Sequence, residues 1–515
     1  MIVTRAAHSW FGRTDFRSKH MLLQLRRVRY HREVSGYYVE NFGCRATQAD
    51  GAAVERQLQE HGLARALSPA QASVVVLNTC TVTAAADHDA RAAVRRLQRQ
   101  NPDAKIVVTG CYAQRAPEEV ASLPGVSVVV GNSHKHQLAQ IALKNAVGAG
   151  NPSANFFPLA GLAKNREPRT DYSIFVSDIF AHTELLAAPV FDAANERTRP
   201  NLKVQDGCDN RCSFCVIPYV RGQSRSLESD RIIREVNALV VSGYREVVIS
   251  GINLGRWGRD LAVSAQSSAL SNPAATRGQR LTSLIRTILA ETSLEKLRIS
   301  SVEPMDWSDA LISLVAQSPR VAKHAHVPMQ SGSDAVLRRM HRKYRPWHYR
   351  EKVEKIRAAM PTAAIGADVM VGFPGETDAQ FEDTRRMIED LPMTYLHVFT
   401  YSPRPDTPAA EMPNQVPVQA ARERNRILRE LAAEKKLAFM RGFIGTEIDA
   451  ITLRSQGLTG GGTGATPLAR FTEALTDNYL KLRLDGHHEP NRWLRARVVD
   501  VVDGALLGTS LLGRN

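Results

Sequence analysis

From Gly36 onward the apolar positions fall into two recurring patterns. Short apolar runs read as buried strands at residues 37–40, 74–77, 106–108 and 126–130. Helical stretches lie between them, at 50–61 and 84–100. Strand and helix in alternation predict a parallel α/β sheet, with the fourth strand closing a first domain near residue 147. Residues 148–200 mix Pro, Gly, Asn and charges of both signs, the pattern of a long linker. A second alternation begins at Asn201, with strands at 202–206, 246–250, 296–300, 324–328, 364–371 and 395–400. Helices at 229–241, 281–291 and 378–389 separate some of them. Six βα units predict a full or partial barrel, and the Ser/Ala-rich segment 262–280 reads as a loop insertion. A polar helix at 417–441 leads out of it. Past Gly445 the runs shorten to 447–453, 479–484 and 494–502, around a Gly-rich loop at 457–464. These predict a small all-β module of OB-like size.

Composition narrows the class. With 515 residues, three or so domains are expected. Apolar residues make up 43%, which excludes a disordered chain. No apolar run nears the ~18 residues of a membrane helix, so a soluble protein without membrane contact is expected. The net charge of +15 points to a polyanionic partner, nucleic acid being the commonest; a merely basic soluble protein is the plainer alternative. Residues 1–35 carry Arg5, Arg13, Arg17, Lys19, Arg26, Arg27, Arg29 and Arg32 against Asp15 and Glu33. That balance is transit-peptide-like but lacks a clear amphipathic helix. It is expected to be an unstructured basic extension, or a product of a start codon placed ahead of Met21.

The six cysteines are Cys44, Cys80, Cys111, Cys208, Cys212 and Cys215. They are too sparse to staple so long a chain, and no secretory signal precedes them, so a reducing, cytoplasmic compartment is expected. Cys208, Cys212 and Cys215 form C-x₃-C-x₂-C just after the first barrel strand. Three thiolates on a [4Fe–4S] cube leave one iron open for a ligand to chelate. A zinc knuckle completed by a distant His is the alternative. Cys44, Cys80 and Cys111 each follow directly on a predicted strand. The carboxyl ends of parallel strands share one edge, so the three can meet and hold a second cluster. Three buried apolar thiols are the alternative there.

C-x₃-C-x₂-C after the first strand of a (β/α) barrel resembles the radical-SAM superfamily. The resemblance implies a cluster whose open iron binds S-adenosylmethionine, cleaved after one-electron reduction to methionine and a 5′-deoxyadenosyl radical. Two three-cysteine sets in this order resemble the radical-SAM methylthiotransferases, over about residues 37–510. The matching motifs are Asn41-Phe42-Gly43-Cys44, Leu77-Asn78-Thr79-Cys80, Thr109-Gly110-Cys111, and the Cys208–Cys215 loop with Val216-Ile217-Pro218-Tyr219 and Arg221-Gly222. The fold implied is α/β: an amino-terminal parallel α/β cluster domain (36–147), a linker (148–200), a central partial (β/α) radical-SAM barrel with its exit helix (201–441), and a small all-β TRAM-type module (442–515).

The family installs a methylthio group on an unactivated carbon. The resemblance implies two [4Fe–4S] clusters, an auxiliary one on Cys44, Cys80 and Cys111 that holds the sulfur, and S-adenosylmethionine as methyl and radical source. Strand-end residues Ser250, Gly251, Asn253, Glu303, Gln330 and Asp368 are the candidate cofactor contacts, since barrel function sits at carboxyl ends. Plain βα turns are the alternative there.

Three basic features bear on RNA. Arg91, Arg95 and Arg99 share a helix face, and a solvated surface is the simpler reading for them. Residues 338–352 mix Arg338, Arg339, Arg342, Lys343, Arg345 and Arg350 with Tyr344, Trp347 and Tyr349, which suits stacked RNA bases. Lys481, Arg483, Arg492, Arg495 and Arg497 with Tyr479 and Trp493 look like an RNA-facing surface, and TRAM modules in the family go with tRNA. Of three family branches, Val204-Gln205-Asp206-Gly207-Cys208 and Ser300-Ser301-Val302-Glu303-Pro304 look most like the one acting on N6-threonylcarbamoyladenosine. The others act on N6-isopentenyladenosine and on a ribosomal-protein aspartate. The partners implied are the tRNA anticodon stem-loop, an electron donor and a sulfur source. A non-enzymatic iron–sulfur RNA-binding sensor is the rival reading; an electron carrier fits poorly, because its clusters usually take four cysteines each.

Overall fold

The structure, a computed structural model, describes residues 36–144, 173–182, 185, 198–261, 280–454 and 471–511. The expected extension 1–35, much of the linker, the insertion 262–279 and the Gly-rich loop 457–464 lie outside the described residues. The first sheet contains β1 (Gly36–Asn41), β2 (Ala64–Arg65), β3 (Val74–Thr79), β4 (Lys105–Gly110), β5 (Val126–Val130) and β6 (Ser173–Phe175). They run in the order β2-β1-β3-β4-β5-β6, every pair parallel. Successive side chains of a strand face opposite ways, so both faces are apolar. Val74 and Val76 pack with Val54, Leu58 and Leu138 on one side. Val75 and Leu77 pack with Val94, Leu97 and Val120 on the other.

Two expectations change here. The sheet does not end at β5, because Ser173–Phe175, inside the segment read as linker, adds a parallel edge strand. Three residues are too few to show a period. The first helix spans Arg45–Glu60 rather than starting at 50. Its opening turns bury small or polar residues, Ala46, Thr47 and Ala49, which carry no apolar stripe.

The second alternation supplies β7 (Asn201–Asp206), β8 (Arg225–Ser226), β9 (Glu246–Gly251) and β10 (Lys296–Ile299), then β11 (His324–His326), β12 (Ala364–Val371) and β13 (Tyr395–Thr400). The sheets β10-β9-β7-β8 and β11-β12-β13 meet at a bridge between Leu297 and Val321. Apart from the antiparallel β8, all strands run parallel, giving an open partial barrel. Leu202, Val247, Leu297, Ala325 and Ile365 join its core with the helices Ser229–Val241, Leu281–Glu291 and Pro346–Ala359. Thr377 and Gln380 close a reciprocal cap on the helix Asp378–Asp390, worth about 1 kcal/mol.

The helix Val418–Arg441 leads to a closed barrel of β14 (Glu447–Thr452), β15 (Phe471–Thr476), β16 (Lys481–Asp485), β17 (Trp493–Val502) and β18 (Ala505–Ser510). The sequence reading lacks β15 and β18. Yet Asp503 and Gly504, at φ 50° and 71°, join β17 to β18 through the Asp-Gly turn that favours tight hairpins. This module docks at the amino ends of β9 and β10. Arg298 Nη1 donates to the Asp477 carbonyl at 3.0 Å, and Lys296 Nζ lies 3.1 Å from Asp477 Oδ1. Among the described residues, no helix is long and apolar enough to cross a membrane.

Candidate active site

The loop after β7 turns sharply at Gly207, whose φ is +72°; a Cβ there would sit 1.9 Å from the Gln223 carbonyl oxygen. Only glycine suits that conformation and that closeness. The turn brings Cys208, Cys212 and Cys215 into one short loop, with Cys215 N donating to Cys212 O at 3.1 Å. Two of the sulfurs have side-chain donors. Asn253 Nδ2 donates to Cys208 Sγ at 3.5 Å, and Arg342 Nη1 to Cys212 Sγ at 3.4 Å. Burial and the charge of Cys212 push the free Cys215 thiol up to about 12. A bound metal reverses that preference, since coordinating thiols are deprotonated.

The other three cysteines come from three adjacent strands. Cys44, Cys80 and Cys111 stand beyond the carboxyl ends of β1, β3 and β4. Gly43 shows how tightly they converge: at φ +100°, a Cβ there would lie 2.8 Å from Cys80 Sγ. Asn78 Nδ2 ties the edge by donating to Asn41 Oδ1 at 2.9 Å and Thr47 O at 2.7 Å. Burial first, then the charges of Cys111 and Cys44, push the Cys80 thiol up to about 12. Asn132 Nδ2 donates to Cys111 Sγ at 3.6 Å. Cys111 also packs on Val216 and Val220, next to the other cysteine loop.

A cavity of about 550 Å³ runs inside the partial barrel. Cys44, Cys208, Cys212 and Cys215 line it, as do all six sequence-predicted contacts: Ser250, Gly251, Asn253, Glu303, Gln330 and Asp368. Cys80 and Cys111 are buried and are not part of the lining. Gln330 sits at φ +61°, an uncommon conformation for a non-glycine residue, and both its N–H and C=O are held by β12. Ser250 Oγ, Asn253 Oδ1 and Ser300 Oγ are buried with no hydrogen-bond partner among the described residues. Buried polar atoms left so are costly, and a polar cofactor with amino, carboxylate and hydroxyl groups suits them. The open-edged cysteine loop likewise suits an iron–sulfur cluster. Glu303 is already engaged by Arg342. Asp368 takes His397 Nδ1 at 3.2 Å and lies 3.4 Å from His326 Nε2. Burial would raise its carboxyl; the two imidazoles hold it well below the usual range.

The sequence reading missed a buried charge network between the two cysteine sites. Asp50, Lys135, Lys203, Asp206 and Arg221 are all buried. Arg221 reaches Asp50 Oδ2 at 2.8 Å and Asp206 Oδ1 at 2.9 Å. Lys135 lies 3.2 Å from Asp50, while Lys203 lies 2.8 Å from Asp206 and also contacts Asp50. Burial would raise the Asp50 carboxyl, but Arg221, Lys135 and Lys203 hold it down. The signal was present: Lys203 and Asp206 sit in a run otherwise read as a buried strand.

One expectation about an RNA surface is corrected. Tyr344 and Tyr349 are fully buried core residues whose hydroxyls donate to the carbonyls of Pro328, Met329 and Val327. They cannot stack on bases; the cations around them hid core residues, Tyr344 in the connection before the helix Pro346–Ala359 and Tyr349 on it. In the β module, Arg492, Arg495 and Arg497 stay exposed beside Glu489, Asp449 and Glu447, and Tyr479 lines the cavity.

An open parallel barrel with C-x₃-C-x₂-C after its first strand defines a radical-SAM enzyme. The profile described as "Uncharacterized protein family UPF0004" matches residues 36–131, and that of the "Radical SAM superfamily" matches 202–388. "Threonylcarbamoyladenosine tRNA methylthiotransferase MtaB" of Aquifex aeolicus is 32% identical over 461 residues, covering 89% of this chain and 99% of that protein. The protein of the same name from Bacillus subtilis is 36% identical, covering 77% and 79%. "tRNA-2-methylthio-N(6)-dimethylallyladenosine synthase" of Endomicrobium trichonymphae is 32% identical, covering 76% and 82%. The chain belongs to the radical-SAM methylthiotransferase family, whose chemistry uses an iron–sulfur cluster and S-adenosylmethionine.

Proposed function

We propose that this chain transfers a methylthio group to C2 of N6-threonylcarbamoyladenosine next to the anticodon of tRNA. The observation that carries the reading is one cavity, lined by Cys208, Cys212 and Cys215 and also by Cys44 of the second set. Cys208, Cys212 and Cys215 would hold the radical-generating [4Fe–4S] cluster; Cys44, Cys80 and Cys111 would hold an auxiliary one. Ser250, Gly251, Asn253, Glu303, Gln330 and Asp368 would contact S-adenosylmethionine. When bound, these groups supply the radical and the methyl and sulfur chemistry. The chain's own residues position it. Asn253, Arg342 and Asn132 direct N–H groups at cysteine sulfurs.

The two relatives named for threonylcarbamoyladenosine support that nucleoside as substrate. In this reading 36–147 is the cluster domain, 148–200 the linker, 201–441 the barrel with its helix and 442–515 a tRNA-binding module. An electron donor and a sulfur source are its further partners, and the cytoplasm its compartment. Deleting the gene and analysing digested tRNA nucleosides by mass spectrometry tests the reading. The 2-methylthio-N6-threonylcarbamoyl nucleoside should vanish and its unthiolated precursor accumulate, with the isopentenyl species unchanged. Persistence of that nucleoside, once a redundant enzyme is excluded, would sink the assignment and direct attention to the isopentenyl nucleoside.

A further inference from the structure

The cavity is not uniform along its length. Along β11 and at the start of β13 its wall is made of imidazole and phenol groups, His324, His326 and Tyr395, with Tyr479 added by the β module. Tyr479 packs against His324 at a ring separation of 4.8 Å and against Tyr395 at 6.2 Å. The tip of a hairpin from the far end of the chain thus forms part of this wall. At the mouth stand exposed Cys44, Arg45 and His397.

Arg45 is the unusual member. Its Nη2 donates to the Tyr479 hydroxyl at 3.2 Å, across 434 positions of sequence. Among the described residues it has no carboxylate partner. The other arginine in the lining, Arg342, is neutralised by Glu303, and Asp368 is occupied by His326 and His397. A guanidinium keeps several N–H donors in a planar fork that matches a carboxylate. Tyr479 fixes the side of that fork it touches and has its own hydroxyl hydrogen to give.

The N6 substituents at issue differ in this respect. A threonylcarbamoyl group ends in a carboxylate beside a hydroxyl, whereas a dimethylallyl group is hydrocarbon throughout. We propose that Arg45, braced by Tyr479, is the receptor for the threonyl carboxylate and so sets which N6 substituent is accepted. Because Arg45 follows Cys44 directly, holding the substituent there also keeps the nucleobase beside the auxiliary cysteine site. The proposal rests on threonylcarbamoyladenosine being the substrate.

The test uses cluster-loaded protein and three anticodon stem-loop RNAs. One carries N6-threonylcarbamoyladenosine, one the same group with its carboxylate made a carboxamide, and one the dimethylallyl group. Dissociation constants come from fluorescence anisotropy, and kcat and KM from methylthiolation. The native protein should bind the acid at least about tenfold more tightly than the carboxamide, as expected for losing a charge-assisted pair. Arg45→Gln should bind the two alike and show the loss in KM. Arg45→Lys should keep part of the preference, and Tyr479→Phe should lower it about threefold. An unchanged acid-over-carboxamide ratio in Arg45→Gln, at native iron content, overturns the proposal. Should Arg45→Gln fail to load iron, an unchanged ratio in both Arg45→Lys and Tyr479→Phe overturns it instead. Native protein that converts threonylcarbamoyl RNA without preferring the acid also overturns it. Native protein that modifies only the dimethylallyl RNA overturns the substrate reading itself, which is a distinguishable result.

Discussion

The two cysteine sites are built in opposite ways. Cys208, Cys212 and Cys215 lie within eight residues, on a single loop shaped by one glycine turn. Cys44, Cys80 and Cys111 are gathered only when β1, β3 and β4 pair in register. The first site depends on local chain geometry, the second on a folded sheet and on the buried charges behind it. The difference teaches that one chemistry can be written in a motif or in a topology, with different vulnerabilities.

Removing single thiols breaks the comparison most strongly. Cys208→Ala should abolish reductive cleavage of S-adenosylmethionine and therefore everything downstream. Cys80→Ala should leave that cleavage intact while abolishing methylthio transfer. Iron content and methionine release measured on each protein separate the two; loss of cleavage in Cys80→Ala would merge the sites into one functional unit.

Next in size is the network that joins them. Asp50→Asn leaves the buried Lys135 without its carboxylate and Lys203 and Arg221 sharing Asp206. It should cost about 3–5 kcal/mol in denaturant unfolding, the range for breaking a buried pair. Both carboxyls sit below their unfolded values, so this contribution is complete above about pH 4 and is lost as pH falls through the depressed folded values. A variant as stable as the native protein would show that the second site does not lean on this network.

A smaller effect concerns access. In metal-free protein, Cys44 is exposed, whereas Cys80 is buried with its thiol pushed up to about 12. The Cys80 thiol therefore stays protonated, and so unreactive, at pH 8. Alkylation followed by peptide mapping should therefore label Cys44 more than tenfold faster than Cys80. Equal rates would mean that the second site opens when its metal is absent.

The finest test touches one hydrogen bond. Asn253 Nδ2 donates to Cys208 Sγ at 3.5 Å, and N–H groups on sulfur favour the electron-rich, reduced cluster. Asn253→Ala should lower the reduction potential of a cluster held by Cys208, Cys212 and Cys215 in an EPR titration and leave one held by Cys44, Cys80 and Cys111 unmoved. A shift of both would show that they are electrically coupled.

How much could be read beforehand follows the same division. The helices Ser229–Val241 and Leu281–Glu291 and the strand Ala364–Val371 were legible to the residue, because period and length agreed. The loop of Cys208 was legible because its spacing is local. The convergence of Cys44, Cys80 and Cys111 could be inferred, since strand ends share an edge. Asp50 was not legible: its partners are 85, 153 and 171 residues away, and nothing near it in sequence shows that it is buried. Tyr344 and Tyr349 misled for the reverse reason, since neighbouring arginines made a core face look like an RNA surface. Tyr479 was seen as an aromatic among cations, but only the docking of the module shows where it goes.

Tyr479 also bears on the order in which the protein becomes competent. It takes a left-handed backbone conformation, φ +70°, at the tip of the β15–β16 hairpin, and completes a wall whose other members were synthesised long before it. During translation the amino-terminal sheet and the barrel can form while the last segment is still in the ribosome. The cavity lacks that part of its wall until that segment emerges. Closing the site thus waits on a segment made after the barrel it closes.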